Sequence, residues 1–455
     1  MLDKYDVILI GGGITALTTA LHLVKGGQKV AIVEKNDRLG GQIRSFSKNG
    51  FIYESGPNTG VINAVEVVEL FKLLGLSCEV AKDDSKNRLI LYKGKFLALP
   101  SSLFGGVKTP FFSFKDKFRV LFEPFRSRGK DENESLGDFA SRRLGKTIVD
   151  YAVDPFISGI YAGDPYKLVA RFAMPKLYNL EKEYGSFIVG TIKRRKIAKE
   201  QRDLGVTKDV FSAVGGLESV TKTIVKSIGE KVDIFCSAQQ CKIEKTENGC
   251  FDVSFEVNHE KINITSDRVV TTVGAYALKD LLPQVEERLL ERITSLEYAK
   301  VAEVALGYNT FPIDLKAFGG LIPSKENRKI LGILFPSACF EGRAPKGGAL
   351  LSVFLGGVKK GDLLSLTDAE IEELVLSEIK STMGVDQKPD LIEIFRHSNA
   401  IPQYYASSEE RLKAVDEIES RFEGLMIGGN LKEGIGLSDR IKQGRRIALD
   451  ILSKK

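Results

Sequence analysis

Two stretches at opposite ends of the chain carry hydrophobic patterns with a legible period. Val7-Ile8-Leu9-Ile10 is an unbroken apolar run, as expected of a short strand buried on both faces. It stops at Gly11-Gly12-Gly13, after which Ile14, Leu17, Leu21 and Val24 recur along one face of a predicted helix that closes at Gly26-Gly27. Val30-Ala31-Ile32-Val33 predicts a second buried strand, closed by Glu34. Near the other end, Leu425-Met426-Ile427 and Gly428-Gly429-Asn430 predict a strand and a turn. Gly434 to Asp439 then opens a helix with Leu437, Ile441, Gly444, Ala448 and Ile451 along one side, capped by Ser438 or Asp439. In between, Gly215-Gly216-Leu217 begins a helix, a strand ends near Val232, and Cys241–Ile243 pairs with Phe251–Phe255.

The first unit reads strand, glycine turn, helix, strand, acid, with G-x-G-x-x-A in the turn, and this order predicts a dinucleotide site. Gly11 permits the tight turn, Gly12 continues it, and Gly13 lets backbone approach a pyrophosphate. Ala16 lets the helix pack close to the strand. The helix N-terminus, at Ile14 and Thr15, offers free N–H groups to the phosphates. Glu34, 21 residues after Gly13, stands with Lys35 where a carboxylate accepts from both ribose hydroxyls. Two further glycine-rich places favour FAD over NAD. Gly40-Gly41-Gln42 follows the acid, with a sharp loop at Gly56-Pro57-Asn58-Thr59. At the far end, Gly429 and Ile435-Gly436-Leu437 would aim a helix N-terminus at the flavin pyrimidine, where negative charge develops on reduction. No cysteine or histidine stands in that last loop, so the FAD is expected to be non-covalent.

Composition narrows the alternatives. The 455 residues suggest two or three domains. Five cysteines without C-x-x-C and three scattered histidines argue against a zinc site or a disulfide framework; no metal is expected, and a reducing compartment fits. A net charge of +6 is mild over this length and does not call for nucleic acid. Val7 to Val24 is uncharged for 18 residues, but three glycines and three threonines break it, so a strand, turn and helix are expected and not a membrane span.

With both ends in hand, the chain resembles the flavin amine oxidase superfamily, and within it the protoporphyrinogen oxidases. Asp154 to Asp164, containing Gly159-Ile160-Tyr161-Ala162-Gly163-Asp164, is similar to that family's "G-[VI]-[YF]-A-G-[DN]" stretch. Tyr184-Gly185-Ser186, Gly215-Gly216-Leu217, Gly319 to Pro323 and Ala400 to Tyr404 follow at similar positions. The resemblance implies oxidation of a porphyrinogen by hydride transfer to flavin N5, with O2 as final oxidant, and no catalytic side chain is identified. Asn87-Arg88 before Gly94 and Leu99-Pro100 is similar to a segment whose arginine holds a substrate propionate, which implies that role for Arg88; Gly159 matches a glycine beside the substrate. Coproporphyrinogen III oxidation on the same fold, amine oxidation or carotenoid desaturation, and a non-catalytic FAD-binding role stay open.

The implied fold is α/β: a Rossmann-type FAD-binding domain in discontinuous pieces (1–85, 206–270, 395–455), a mixed-sheet α+β substrate domain (86–107, 271–394), and a helical segment (108–205). Residues 101–130 hold seven phenylalanines (104, 111, 112, 114, 118, 122, 125) and seven basic residues against two acids. Aromatic residues beside basic ones suit a helix lying on a membrane. The expected setting is the cytoplasm, peripherally on a membrane surface, with porphyrinogen and O2 as partners and a homodimer as an option.

Overall fold

In the computed structural model, which describes residues 3–99 and 109–454, the two ends of the chain build one sheet. Strands Val232–Phe235, Val30–Val33, Asp3–Ile10, Glu260–Thr271 and Leu425–Ile427 lie side by side and parallel. Their carboxyl ends fall in line. Ile10 pairs with Val33 on one side and Thr271 on the other, Val33 pairs with Phe235, and Thr271 with Ile427. An antiparallel meander, Gln239–Lys245 and Phe251–Val257, extends from the first half of Glu260–Thr271. The strand expected to end near Val232 begins there.

Both faces of this sheet are covered, which explains the unbroken apolar runs. Val7 and Leu9 pack with helices Ile14–Lys25, Glu218–Ile228 and Leu437–Leu452, while Ile8 and Ile10 face Leu278, Leu289, Ile293 and Val415. The terminal helix and the first helix cross so closely that a Cβ on Gly444 would lie 2.5 Å from the Thr15 carbonyl oxygen. Thr19 Oγ1 donates to the carbonyls of Thr15 (2.9 Å) and Gly444 (3.1 Å) at the same crossing. The terminal helix is capped by Gly436, not by Ser438 or Asp439 as expected. Asp439 lies one turn in and accepts from the Gly436 N–H at 3.2 Å, and Ser438 donates to the Val61 carbonyl.

A second, seven-stranded sheet runs in the order Leu391–Pro402, Tyr298–Tyr308, Ala349–Gly356, Ile330–Leu334, Gly319–Leu321, Arg88–Tyr92, Lys95–Ala98. Only the contact between Gly319–Leu321 and Arg88–Tyr92 is parallel. The chain moves between the sheets at Tyr298 and Pro402, not at 271 and 395. The reason is that Leu278 to Leu296 buries its apolar side on the first sheet, and residues 395–402 continue a strand of the second.

The helices between Phe114 and Asp203 are gathered around a buried ion pair. Arg143 and Glu123 are both fully buried. Arg143 Nε donates to Glu123 at 2.8 Å, and Glu123 also accepts from Ser186 Oγ (2.5 Å) and the Phe187 N–H (3.0 Å). This pins the turn at Glu123–Phe125 and, with it, helix Phe114–Leu121. Phe114, Phe118, Leu121, Phe122 and Phe125 project outward, Phe125 with 84 % of its surface exposed. Phe111 departs from the expected membrane face: it is buried against Tyr92 and Tyr151. Phe104 and Lys108 lie outside the described residues. Among the described residues no helix is long and apolar enough to cross a membrane.

The helix crossing yields a direct test. Gly444→Val forces a side chain into the Thr15 carbonyl and should destabilise the protein by about 1–3 kcal/mol. Thermal unfolding of the variant should show a lowered midpoint; an unchanged midpoint would mean that the two helices separate at no cost.

Candidate cofactor and substrate site

The glycine-rich segments named from sequence meet at the carboxyl edge of the first sheet, where open parallel sheets take ligands. Gly11 turns with φ +93°, a conformation that a side chain disfavours, and its N–H bonds the Val33 carbonyl at 2.8 Å. Gly13 caps the first helix, and no atom lies within 4 Å of where its Cβ would be. Acceptors from the helix's own backbone begin only at Leu17, which bonds the Gly13 carbonyl, so the N–H groups of Ile14, Thr15 and Ala16 are available to an anion. Gly40-Gly41 is folded against this turn. Gly40 N–H donates to the Gly12 carbonyl at 2.8 Å, and a Cβ on Gly41 would stand 3.1 Å from the Gly13 Cα. Arg38 braces the arrangement by donating to the carbonyls of Leu39, Gly41 and Ile43, a role that its sequence position did not announce.

Glu34 is buried at the end of the second strand. One of its oxygens accepts from the Gly12 N–H at 2.5 Å, and the other accepts from the N–H and Nδ2 of Asn36 at 2.8 and 2.7 Å. A carboxylate has about four acceptor positions, so one remains for a ribose hydroxyl where sequence suggested two. Lys35 is exposed beside it. The loop at Gly56 lies on the Gly41-Gln42 segment so closely that a Cβ on Gly56 would be 2.4 Å from the Gln42 carbonyl oxygen. Pro57 and Thr59 are half-buried in this loop, and Gln42 is exposed at its edge. At the C-terminal end, Gly429 turns with φ +91° beside the Thr272 carbonyl, its N–H held by Gln443 Oε1 at 2.8 Å, and Ile435, Gly436 and Leu437 lead into the terminal helix.

Asn58 behaves differently from its neighbours. Its side chain is buried and turned into the protein: Nδ2 donates to the Gly56 carbonyl (3.0 Å) and to Glu303 Oε1 (2.6 Å), and Oδ1 accepts from Ser352 Oγ (3.0 Å). Only its backbone remains for a cofactor. Glu303 is buried in the second sheet, and its other oxygen has no partner. Burial, then the negative field of Glu54, raise the Glu303 carboxyl to about 8; burial, with a smaller push from Glu218, outweighs the bonds from Ser45 and Leu217 and raises Glu54 to about 7. Glu303 was missed in the sequence, although a lone carboxylate in the apolar run Val301 to Leu306 was a signal in plain view.

Arg88 and Gly159, assigned to substrate, flank one strand. Arg88 opens Arg88–Tyr92 opposite Gly319, exposed, with its guanidinium 4.4 Å from the centre of the Phe318 ring. A Cβ on Gly159 would meet the Leu321 side chain at 2.4 Å, so Gly159 lets helix Asp154–Tyr161 lie directly on that strand. Phe318 in turn lines a small cleft with Tyr53, Glu54, Asn58, Phe340 and Arg343. The second sheet thus connects the arginine's surroundings to the loop at Gly56–Thr59.

Comparison with known proteins identifies the family. Residues 15–452 match the model of the flavin containing amine oxidoreductase family. The chain belongs to that family. It is an oxidoreductase and a flavoprotein of mixed α/β architecture. It is 30 % identical to the mitochondrial protoporphyrinogen oxidase of Nicotiana tabacum, over 99 % of this chain and 96 % of that one. It is 26 % identical to the coproporphyrinogen III oxidase of Bacillus subtilis, over 99 % and 98 %. A solved structure from Exiguobacterium sp., a candidate protoporphyrinogen oxidase, superposes with a TM-score of 0.82 at 20 % identity, covering 100 % of this chain and 99 % of that one; at that identity it establishes the fold. As a family member the protein has a flavin.

The buried carboxyl Glu303 makes stability depend on pH. Its folded value is raised, so the folded state holds a proton that the unfolded chain gives up near pH 4.5. Stability from this group is complete below pH 4.5 and falls as pH rises towards about 8. Glu303→Gln, neutral at every pH, should lose less stability than the parent between pH 6 and about 8.5. Thermal midpoints measured across that range check this; parallel curves would show that Glu303 does not titrate.

Proposed function

We propose that this flavoprotein binds FAD non-covalently and oxidises protoporphyrinogen IX to protoporphyrin IX, a six-electron oxidation in haem biosynthesis with O2 as terminal acceptor and H2O2 as its product. The observation that carries the reading is the full-length match to a protoporphyrinogen oxidase together with the meeting of three glycine segments, from both ends of the chain, at one sheet edge. When bound, the flavin supplies the two-electron acceptor; the chain supplies position. The N–H groups of Ile14, Thr15 and Ala16 hold the phosphates, and Glu34 takes one ribose hydroxyl. The segments Gly41-Gln42, Gly56–Thr59 and Gly429–Leu437 would hold the rest of the cofactor. Arg88, freely exposed and stacked on Phe318, anchors a substrate propionate at a distance from the reacting carbon.

A second reading, oxidation of coproporphyrinogen III, is favoured by the Bacillus subtilis relative, which matches nearly the full length of both chains. Purified FAD-loaded protein given each porphyrinogen in turn, with porphyrin fluorescence followed, separates the two. The expected result is a higher kcat/KM for protoporphyrinogen IX; a tenfold or greater preference for coproporphyrinogen III would assign the second reading. In the same assay Arg88→Ala should raise KM more than it lowers kcat, because a remote anchor holds ground state and transition state alike.

The outward stripe Phe114, Phe118, Leu121, Phe122 and Phe125 supports attachment to a membrane surface from the cytoplasmic side. Phe114, Phe118 and Leu121 lie on a short helix that also carries Lys115; Phe122 and Phe125 lie on the turn that follows it, and Arg126, Arg128 and Lys130 come next. Each basic residue near an anionic surface contributes about 1 kcal/mol. The holoenzyme should float with anionic vesicles at low salt and less so at high salt, and Phe118→Asp should weaken flotation at both. Absence from the vesicle fraction under every condition would remove the membrane from this protein's setting.

A further inference from the structure

Beneath the C-terminal glycine loop, two guanidinium groups are buried without a carboxylate to neutralise them. Arg440, in the first turn of the terminal helix, is 8 % exposed, and Arg411, on helix Ser408–Arg421, is 2 % exposed. Among the described residues neither has a carboxylate oxygen within the 4.0 Å of an ion pair. Arg440 donates from Nη1 to Gln443 Oε1 at 2.7 Å, while its Nε and Nη2 are buried with no partner. Arg411 donates from Nε to the Leu431 carbonyl at 2.9 Å and lies 5.6 Å from the centre of the Tyr404 ring. The nearby acids are engaged elsewhere: Glu433 with Arg446 at 2.5 Å, Glu419 with Lys432 at 2.8 Å, and Asp439 with the Gly436 N–H.

A buried charge is costly unless it is paired. Arg440, with two buried donors left over, points to an anion that the described residues do not provide. Both groups are tied to the same loop. Gln443 Oε1 accepts from Arg440 and from the Gly429 N–H together, and Arg411 holds Leu431 two residues on. The N-terminus of the first helix, where the phosphates of the cofactor would lie, meets the terminal helix at Gly444, one turn beyond Arg440, so experiment has to separate a field at the flavin from a contact with phosphate.

We propose that Arg440, supported by Arg411, forms a fixed positive field under the Gly429–Leu437 loop that stabilises the negative charge acquired by the flavin pyrimidine on reduction, and so raises the flavin's reduction potential. The proposal rests on the FAD reading above. Both arginines are positioning residues: they act on the cofactor through field and loop geometry and need not touch the substrate. The apoprotein carries the cost of two buried cations, and the reduced cofactor offsets it.

The experiment uses FAD-loaded parent, Arg440→Met and Arg440→Lys. It measures the flavin midpoint potential by equilibration with a reference dye, the affinity for oxidised and for reduced FAD, and the thermal midpoint of each apoprotein. Arg440→Met should shift the midpoint negative by a tenfold or larger change in the reduction equilibrium, about 30 mV for a two-electron couple. Its affinity for reduced FAD should fall more than its affinity for oxidised FAD, its apoprotein should melt higher than the parent, and Arg440→Lys should keep most of the parent potential. An unchanged midpoint in flavin-bearing Arg440→Met would overturn the proposal. Equal losses of affinity for both redox states would overturn it too, by assigning Arg440 to the phosphates. So would an Arg440→Met chain that fails to fold, since removing an uncompensated buried charge should stabilise the apoprotein. If the parent itself takes up no FAD, the cofactor reading fails first.

Discussion

The close crossing of the first and last helices is the contact on which the rest of this molecule depends. Gly444 lies against the Thr15 carbonyl, and no side chain fits between them. This contact fixes the terminal helix beside the first one, so Leu425–Ile427 can join the sheet next to Thr271. Because all the parallel strands end at one level, the turn after Ile10, the acid after Val33 and the loop after Ile427 are presented together. A cofactor long enough to reach from a helix N-terminus at one end to the Gly429–Leu437 loop at the other, as proposed above, would be held by segments more than four hundred residues apart in sequence. Binding it there would join the two ends of the chain a second time, and ligand occupancy would stabilise such a fold by mass action.

The junction between the two sheets is built on polar groups, which is unusual for so buried a place. Asn58 reaches from the Gly56 loop to Glu303 and Ser352 on the second sheet, and Glu54 approaches from the side. A neutral Glu303 suits this site, since an ionised carboxylate with one unpartnered oxygen would carry the full cost of desolvation. Hydrogen bonds of fixed direction at the junction tie the first sheet's Gly56 loop to the sheet that carries Arg88, where apolar packing alone would tolerate sliding.

The helical part solves a different problem, that of holding apolar side chains out into solvent. Helix Phe114–Leu121 has no buried residue of its own. It is held in place by its capping box at Ser113 and Asp116 and by Glu123, whose carboxylate is fixed by Arg143, Ser186 and the start of helix Phe187–Lys193. A buried ion pair of this kind contributes little net stability, yet losing either partner is severe. The Arg143–Glu123 pair thus places the exposed stripe more than it strengthens the fold.

The chain's own pattern was enough for everything decided within a few residues. Strand, glycine turn, helix, strand and acid follow one another from Val7 to Glu34, and each has its own local cause: a two-sided burial period, a positive φ, a helical period, a charge at a strand end. The terminal helix and its apolar side were legible for the same reason. What sequence could not show is which distant groups share a place. Asn58 and Glu303 lie 245 positions apart, so the sequence could not show that the Asn58 side chain turns into the junction. Glu34 lost acceptor positions to Gly12 and Asn36. Phe111 and Phe114 belong to one aromatic segment, yet one packs on Tyr92 and the other faces outward, because only the first meets the second sheet. Arg440 and Arg411 are ordinary helix residues in sequence; only the fold removes them from water and leaves them without an acid, since burial and pairing are properties of neighbours that the chain brings together from far along its length.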